Sequence, residues 1–180
     1  MVVPIWELTR SAGLTSYFLL FLSVAAGLIL SMKINLKLNK HLQVIHQSAG
    51  WYSLLIGLFH ILLLNINTHH PYTLTEIFIP FTAKEHAILN GIGTISLYVM
   101  VILFLSGDLI TNIGAKVWKK IHRLALPSYI LISIHGIFIG TDTKEEWVMI
   151  LYTSSLAVIF SLLIVKLLKL KSTQKEKFSI

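Results

Sequence analysis

The sequence contains no cysteine, and only 13% of its residues are charged. Without cysteine the chain cannot form a disulfide, an iron–sulfur cluster or a cysteine-ligated zinc site, and it cannot attach a haem covalently through a C-x-x-C-H motif. A soluble domain carries about 25% charged residues, so this chain, which is 55% hydrophobic, lacks the polar surface that water requires. A lipid bilayer is therefore its expected solvent.

Acidic residues are few: eight Asp and Glu stand against 15 Lys and Arg, for a formal net charge of +7. A basic protein can bind nucleic acid, but the placement of these charges has a simpler explanation. They delimit runs of roughly 20 apolar residues, the length of a membrane helix. The predicted spans are 10–33, 40–65, 85–108, 123–142 and 146–166, and the fourth is expected to start slightly before residue 123.

Basic residues are concentrated on one side of these spans. Twelve of the 15 follow the first, third and fifth spans, within 33–40, 116–123 and 166–177. Because positive loops stay in the cytoplasm, we predict an all-α membrane bundle of five transmembrane helices, with the N-terminus outside and the C-terminus inside. Residues 1–168 would form the membrane domain and 169–180 a loose polar tail in the cytoplasm.

Four histidines lie within the predicted spans, where a titratable side chain is costly and indicates function. His46 and His122 lie near the inner ends of the second and fourth spans, and His60 and His135 near the outer ends. The two histidines of one helix are about 20 Å apart at 1.5 Å per residue, so they cannot share one metal. Both spans run from inside to outside, which predicts two separate His–His pairs, one in each leaflet.

Small residues separate the two histidines of the second span. Glycine and serine leave room for a flat, bulky group against the helix, and neutral imidazole is a common axial ligand of haem iron. Small residues also suit ordinary helix packing in a membrane. The two histidines and the small residues between them form a stripe on one face of the helix, at intervals of four, three, four and three residues. The stripe comprises His46, Gly50, Ser53, Gly57 and His60.

The histidines of the fourth span are 13 residues apart, which leaves them about 140° from a common face in an ideal helix. Pro127 lies between them, and a proline inside a helix kinks or rewinds the preceding turn. We expect a local overwinding there that brings His122 and His135 toward one face. Tyr129, midway between them, is expected to be a packed aromatic or to lie between the two sites.

Two other classes of protein keep histidines inside a membrane. A transporter or channel would use them to handle protons or metal ions, together with intramembrane Asp or Glu partners, and no predicted span interior contains either. A structural protein would use them only to bond neighbouring helices. The remaining histidines are expected at span ends or in the solvated outer loop, at His41, His86, His69 and His70.

Three further segments carry a family resemblance: ELTRSAGL before the first span, IPFTAKEHAILNGIGTISLYV leading into the third, and VWKKIHRLALPSYILISIHGIFIGTD around the fourth. Together with the histidine spacings of 14 and 13, they resemble the ferric reductase-like transmembrane domain. This domain is the haem core of ferric reductases, NADPH oxidases and the membrane subunit of a bacterial methionine-sulfoxide repair system. The resemblance covers roughly residues 6–165.

The resemblance implies two b-type haems stacked across a bacterial cell membrane. His46 and His122 would ligate the inner haem, and His60 and His135 the outer haem. Electrons would pass from a cytoplasmic donor to an acceptor on the outer face, so the chain would be the electron-transfer component of an oxidoreductase.

The same resemblance gives roles to two arginines and to partners. Arg10 at the outer end and Arg123 at the inner end would bind haem propionates, since guanidinium binds carboxylate well. We expect no flavin and nicotinamide domain of the family's kind after the fifth span, so the donor would be a separate reductase, a quinol or a flavin on a partner. The acceptor would be ferric iron, a flavoprotein, a sulfoxide reductase or oxygen. Leu64 stands where the oxidases carry a further histidine, which argues against a superoxide-producing site.

Overall fold

The computed structural model describes residues 4–34, 36–67 and 71–178, and within these ranges the chain forms helices and no strand. This confirms the predicted all-α class. Five helical segments are long and apolar enough to cross a membrane, which makes the chain a multi-pass membrane protein. The helices are α1 (Ile5–Ser31), α2 (Leu36–Ile66), α3 (Leu74–Phe78), α4 (Ala87–Asp108), α5 (Ile110–Ile113), α6 (Ala115–His122), α7 (Ala125–Ile139) and α8 (Glu146–Phe178), with a 3-10 helix at Thr141–Lys144.

The interior and the surface are distributed as in a membrane protein. Large apolar side chains cover the outside, among them Leu62 and Ile150, each of which is 63% exposed. Small hydroxyl residues fill much of the interior, because close helix contact in lipid depends on small side chains. The serines with at most 2% exposure are Ser53, Ser96, Ser128, Ser133 and Ser155.

The bundle is organised around α1. This helix forms an extensive antiparallel pair with α2 and also contacts α7 and α8, while α4 pairs with α7. Lysines cluster where α1 leads to α2, around α5 and α6, and near the end of α8. We refer to this end of the bundle as the lysine-rich side and to the opposite end as the lysine-poor side.

Tyrosines fill the centre of the bundle. The Tyr17 hydroxyl lies 3.0 Å from that of Tyr129 and also bonds to Ser155, so α1, α7 and α8 share one buried polar cluster. The rings of Tyr17 and Tyr129 stack at 5.8 Å between centroids. Tyr129 is fully buried and is therefore a packed aromatic.

The fourth span is interrupted rather than kinked. α6 ends at His122 and α7 begins at Ala125, and the Leu124 N–H donates to the Ile121 carbonyl at 2.9 Å. This three-residue bond is of the 3-10 type and tightens the chain there. Pro127 lies in the first turn of α7, where its missing N–H removes no intrahelical bond.

The connection between α2 and α4 is folded onto α4. Thr73 and Glu76 form a capping box at the start of α3, and the Thr73 backbone N–H holds the pKa of the Glu76 carboxyl below its ordinary value. The Thr94 hydroxyl donates to the Ile77 carbonyl at 2.8 Å. The segment therefore forms a cover at the lysine-poor side. His69 and His70 lie outside the described residues.

The predicted loose tail at 169–180 is helical as far as Phe178, because α8 continues through it. Its Lys, Gln and Glu residues have high helix propensity, and lengthening an existing helix requires no new nucleus. Lys169 also donates to the Met32 carbonyl at 2.7 Å, which ties this part of α8 to the end of α1.

Candidate functional site

The four intramembrane histidines lie at two levels of the bundle. On the lysine-rich side, the rings of His46 and His122 are 5.9 Å apart between centroids and nearly perpendicular. On the lysine-poor side, His60 and His135 line a single cavity of about 390 Å³. The structure therefore brings together His46 with His122, and His60 with His135. Their role as ligands stays a prediction.

The His60 ring is held by the backbone of α1. Its Nδ1 atom lies 2.8 Å from the Thr9 carbonyl oxygen. A carbonyl can only accept a hydrogen bond, so Nδ1 carries the ring proton in the neutral imidazole. The lone pair then resides on Nε2, and this is how proteins orient a histidine that binds a metal.

Two further histidines are held in the same way. The Nδ1 atom of His46 donates to the Ser23 carbonyl at 2.8 Å, and that of His135 donates to the Leu89 carbonyl at 2.9 Å. Three of the four rings therefore present Nε2 as the free nitrogen. The bonds come from different helices, since α1 holds both histidines of α2 whereas α4 holds that of α7.

A glycine follows each accepting carbonyl by four residues. A Cβ added at Gly13 would lie 3.2 Å from Cε1 of His60, and one at Gly27 would lie 3.0 Å from Cε1 of His46. At Gly93 the corresponding distance, to Cε1 of His135, would be 2.8 Å. Each imidazole thus rests where a side chain would stand. We call a carbonyl with its glycine four residues later a histidine dock.

A seven-residue repeat sets the register between α1 and α2. Between the two docks, Ser16 and Ser53 exchange hydrogen bonds, each hydroxyl donating to the other's carbonyl at 2.8 and 2.9 Å. A seven-residue repeat keeps one contact face along two coiled helices. The facing pairs along this seam are Thr9 with His60, Ser16 with Ser53, and Ser23 with His46.

The stripe of small residues on α2 therefore divides between two roles. Ser53 is fully buried against α1 and serves helix packing. Gly57 lines the cavity between His60 and His135, next to the Ser16 hydroxyl. From the sequence alone, the small residues could serve either helix packing or space for a cofactor. In the structure Ser53 serves packing, whereas Gly57 forms part of the cavity wall.

The cavity has the size and lining of a cofactor pocket. Its volume of about 390 Å³ lies within the range of roughly 300–1,000 Å³ typical of such sites. Glycine backbone and apolar side chains form much of its wall, and Leu64 and His86 also line it. Other polar side chains reach its lining from α1, from α3 and α4 with the loops that precede them, and from the 3-10 helix.

Arg10 is among the residues that line the cavity. Its guanidinium forms an ion pair with Asp142 of the 3-10 helix, while its Nε atom is buried and has no hydrogen-bond partner within the described residues. A buried polar atom without a partner is costly. Arg123, the second predicted arginine, is exposed in the turn between α6 and α7.

His122 is held differently from the other three histidines. Its ring stacks on the indole of Trp118, one turn earlier on α6, with centroids 4.9 Å apart and planes inclined by 24°. Within the part of the chain that the structure describes, its ring nitrogens have no hydrogen bond. The pair at the lysine-rich side is therefore asymmetric, with His46 docked on a carbonyl and His122 stacked on an indole.

The docks are the part of the site that the sequence interpretation missed. Gly13 and Gly27 are 14 residues apart, as are His46 and His60. Equal spacing on two antiparallel helices is the signal that could have matched each glycine to its histidine. No protein-family model matches the sequence, and no curated protein or solved structure matches it either.

Proposed function

We propose that the chain is a transmembrane b-type cytochrome that carries electrons through two bis-histidine haems. The observation that carries the proposal is the set of fixed imidazoles. Three of the four have Nδ1 bound to a backbone carbonyl, and each level of the bundle holds two histidines. Neutral imidazole with a free Nε2 is a common axial ligand of haem iron.

The residues present fit a haem in three respects. The groups that would ligate the iron are paired imidazoles. The glycines of the docks leave space for three of these imidazole rings. The Nε atom of Arg10 in the cavity lining, which has no hydrogen-bond partner within the described residues, suits a propionate, because guanidinium binds carboxylates strongly. In the proposal His60 and His135 hold one haem, with Arg10 beside it. His46 and His122 hold the other, with the exposed Arg123 near its edge. The bound haem supplies reversible one-electron chemistry.

The direction of electron flow follows from the distribution of charge. If the lysine-rich side is cytoplasmic, as positive-inside topology favours, the haem of His46 and His122 lies near the donor and that of His60 and His135 near the acceptor. This arrangement suits a ferric reductase-like component of a bacterial cell membrane. Its donor would be a reductase, a quinol or a flavin on a partner, and its acceptor ferric iron, a flavoprotein, a sulfoxide reductase or oxygen.

A proton- or metal-handling transporter is the alternative, and the docks favour it less. A histidine that passes on protons or ions benefits from freedom to turn between partners. Here three rings are fixed by hydrogen bonds from Nδ1 to helix carbonyls and by close glycine contact. Fixed rings suit a permanently bound group.

The colour of the purified protein tests the proposal. We expect the chain, produced with ample haem supply, to show a reducible b-type spectrum with about two haems per chain, both low-spin because both axial positions are filled. Haem content by the pyridine haemochrome method is the measurement. His41→Leu, which changes an exposed histidine on the same helix as His46 and His60, is the matched control and should keep both haems. A colourless wild-type protein would refute the proposal.

A further inference from the structure

The spacing of the docks points to a fourth dock on α4. Leu89 and Gly93 form the dock of His135, and the residues 14 positions later on the same helix are Leu103 and Gly107. On α1 the second dock likewise follows the first by 14 residues. A fully regular bundle would therefore seat His122 against Leu103 and Gly107.

This fourth position does not hold the imidazole. The Leu103 carbonyl accepts the Ser106 hydroxyl at 2.8 Å. A Cβ added at Gly107 would meet no atom within 4 Å in the described part of the chain, in contrast to the close contacts at the other three glycines. His122 therefore lacks the carbonyl partner that the repeat would have provided.

The break between α6 and α7 explains the difference. His122 and His135 are 13 residues apart, one fewer than the repeat requires, and the 3-10 turn at Leu124 separates the two helices. His122 therefore belongs to α6. On that helix Trp118 precedes it by four residues, and residues four apart lie on one face.

We propose that Trp118 is the positioning residue for His122, taking the part that a carbonyl and a glycine take for the other three histidines. The indole face holds the imidazole at the angle at which its ring meets that of His46, 5.9 Å away. This inference rests on the proposed haem function and deepens it. Of the two histidines at the lysine-rich side, His46 is held by a carbonyl, whereas His122 has only ring contacts within the described residues. His122 is therefore the ligand most easily displaced.

Carbon monoxide tests this proposal, because it binds reduced haem iron only where an axial position opens. We expect the reduced wild-type protein to bind almost none. In the Trp118→Leu variant, carbon monoxide should bind to roughly half of the total haem, because His122 would no longer be held firmly at one of the two haems. Trp118→Phe keeps an aromatic face and should restore the closed state. Trp147→Leu, which removes an exposed indole on α8, should behave as wild type.

The Gly107→Ala variant tests whether His122 depends on the stack with Trp118 or on the fourth dock position at Leu103 and Gly107. There is open space at this position, so the proposal predicts no carbon monoxide binding and full haem content. The proposal is overturned if Gly107→Ala opens the haem, if Trp118→Leu stays closed, or if Trp118→Leu loses both haems, since the stack acts at one site only. The absence of haem from the wild-type protein would instead overturn the proposed function.

Discussion

Replacing either His60 or His135 by leucine should remove one haem from the purified protein, and both variants should lose the same one. The two side chains line one cavity, and each has its Nδ1 bound to a different helix. Neither imidazole could take the place of the other, so loss of one would leave the proposed haem with a single protein ligand. Haem content should fall from about two to about one per chain.

A redox titration of the remaining haem identifies which one is lost. Both variants should retain a haem of the same potential, and the double variant should resemble either single variant, because residues of one site are not additive. His46→Leu should retain the other haem, with a different potential. If His60→Leu and His135→Leu kept haems of different potential, the pairing would be wrong.

Replacing Ser53 by leucine should remove both haems at once. Ser53 is fully buried at the middle of the α1–α2 seam, where it exchanges hydrogen bonds with Ser16. A larger side chain costs roughly 1–3 kcal/mol when forced into such a contact, besides about 0.6 kcal/mol for each interhelical bond lost. Both docks on α1 lie along the same seam, so separating the helices displaces His46 and His60 together.

A lipid-facing serine provides the matched control for this change. Ser161 is exposed on α8, and among the described residues its hydroxyl donates within its own helix, to the Ala157 carbonyl. Ser161→Leu adds the same side chain outside the seam and should keep about two haems per chain. Full haem content in Ser53→Leu would show that the docks do not depend on the seam. Loss of only one haem would show that each dock acts alone.

The five membrane-length helices could be predicted from the sequence because charge and hydropathy alone determine where a chain can cross lipid. The intramembrane positions of the four histidines followed from the same pattern. The helical end of α8 could not be predicted in this way. Polar composition indicates exposure to water, but it does not distinguish a loose tail from the continuation of a helix that is already nucleated.

The docks could not be predicted from residue types, because the acceptors are backbone carbonyls. Every residue offers one, and only the rotation of α1 against α2 selects those of Thr9 and Ser23. The partner of Arg10 was missed for a similar reason. Asp142 reaches it from the 3-10 helix after α7, a contact distant in sequence.

Electron transfer across a sealed bilayer tests the central claim most directly. Haem-loaded protein is placed in liposomes that enclose ferricyanide, and membrane-impermeant dithionite is added outside. The wild-type chain should reduce the enclosed ferricyanide, seen as loss of its visible absorbance, many times faster than protein-free liposomes or the His60→Leu variant. Wild-type protein that carries both haems, yet reduces the enclosed ferricyanide no faster than protein-free liposomes, would contradict the claim.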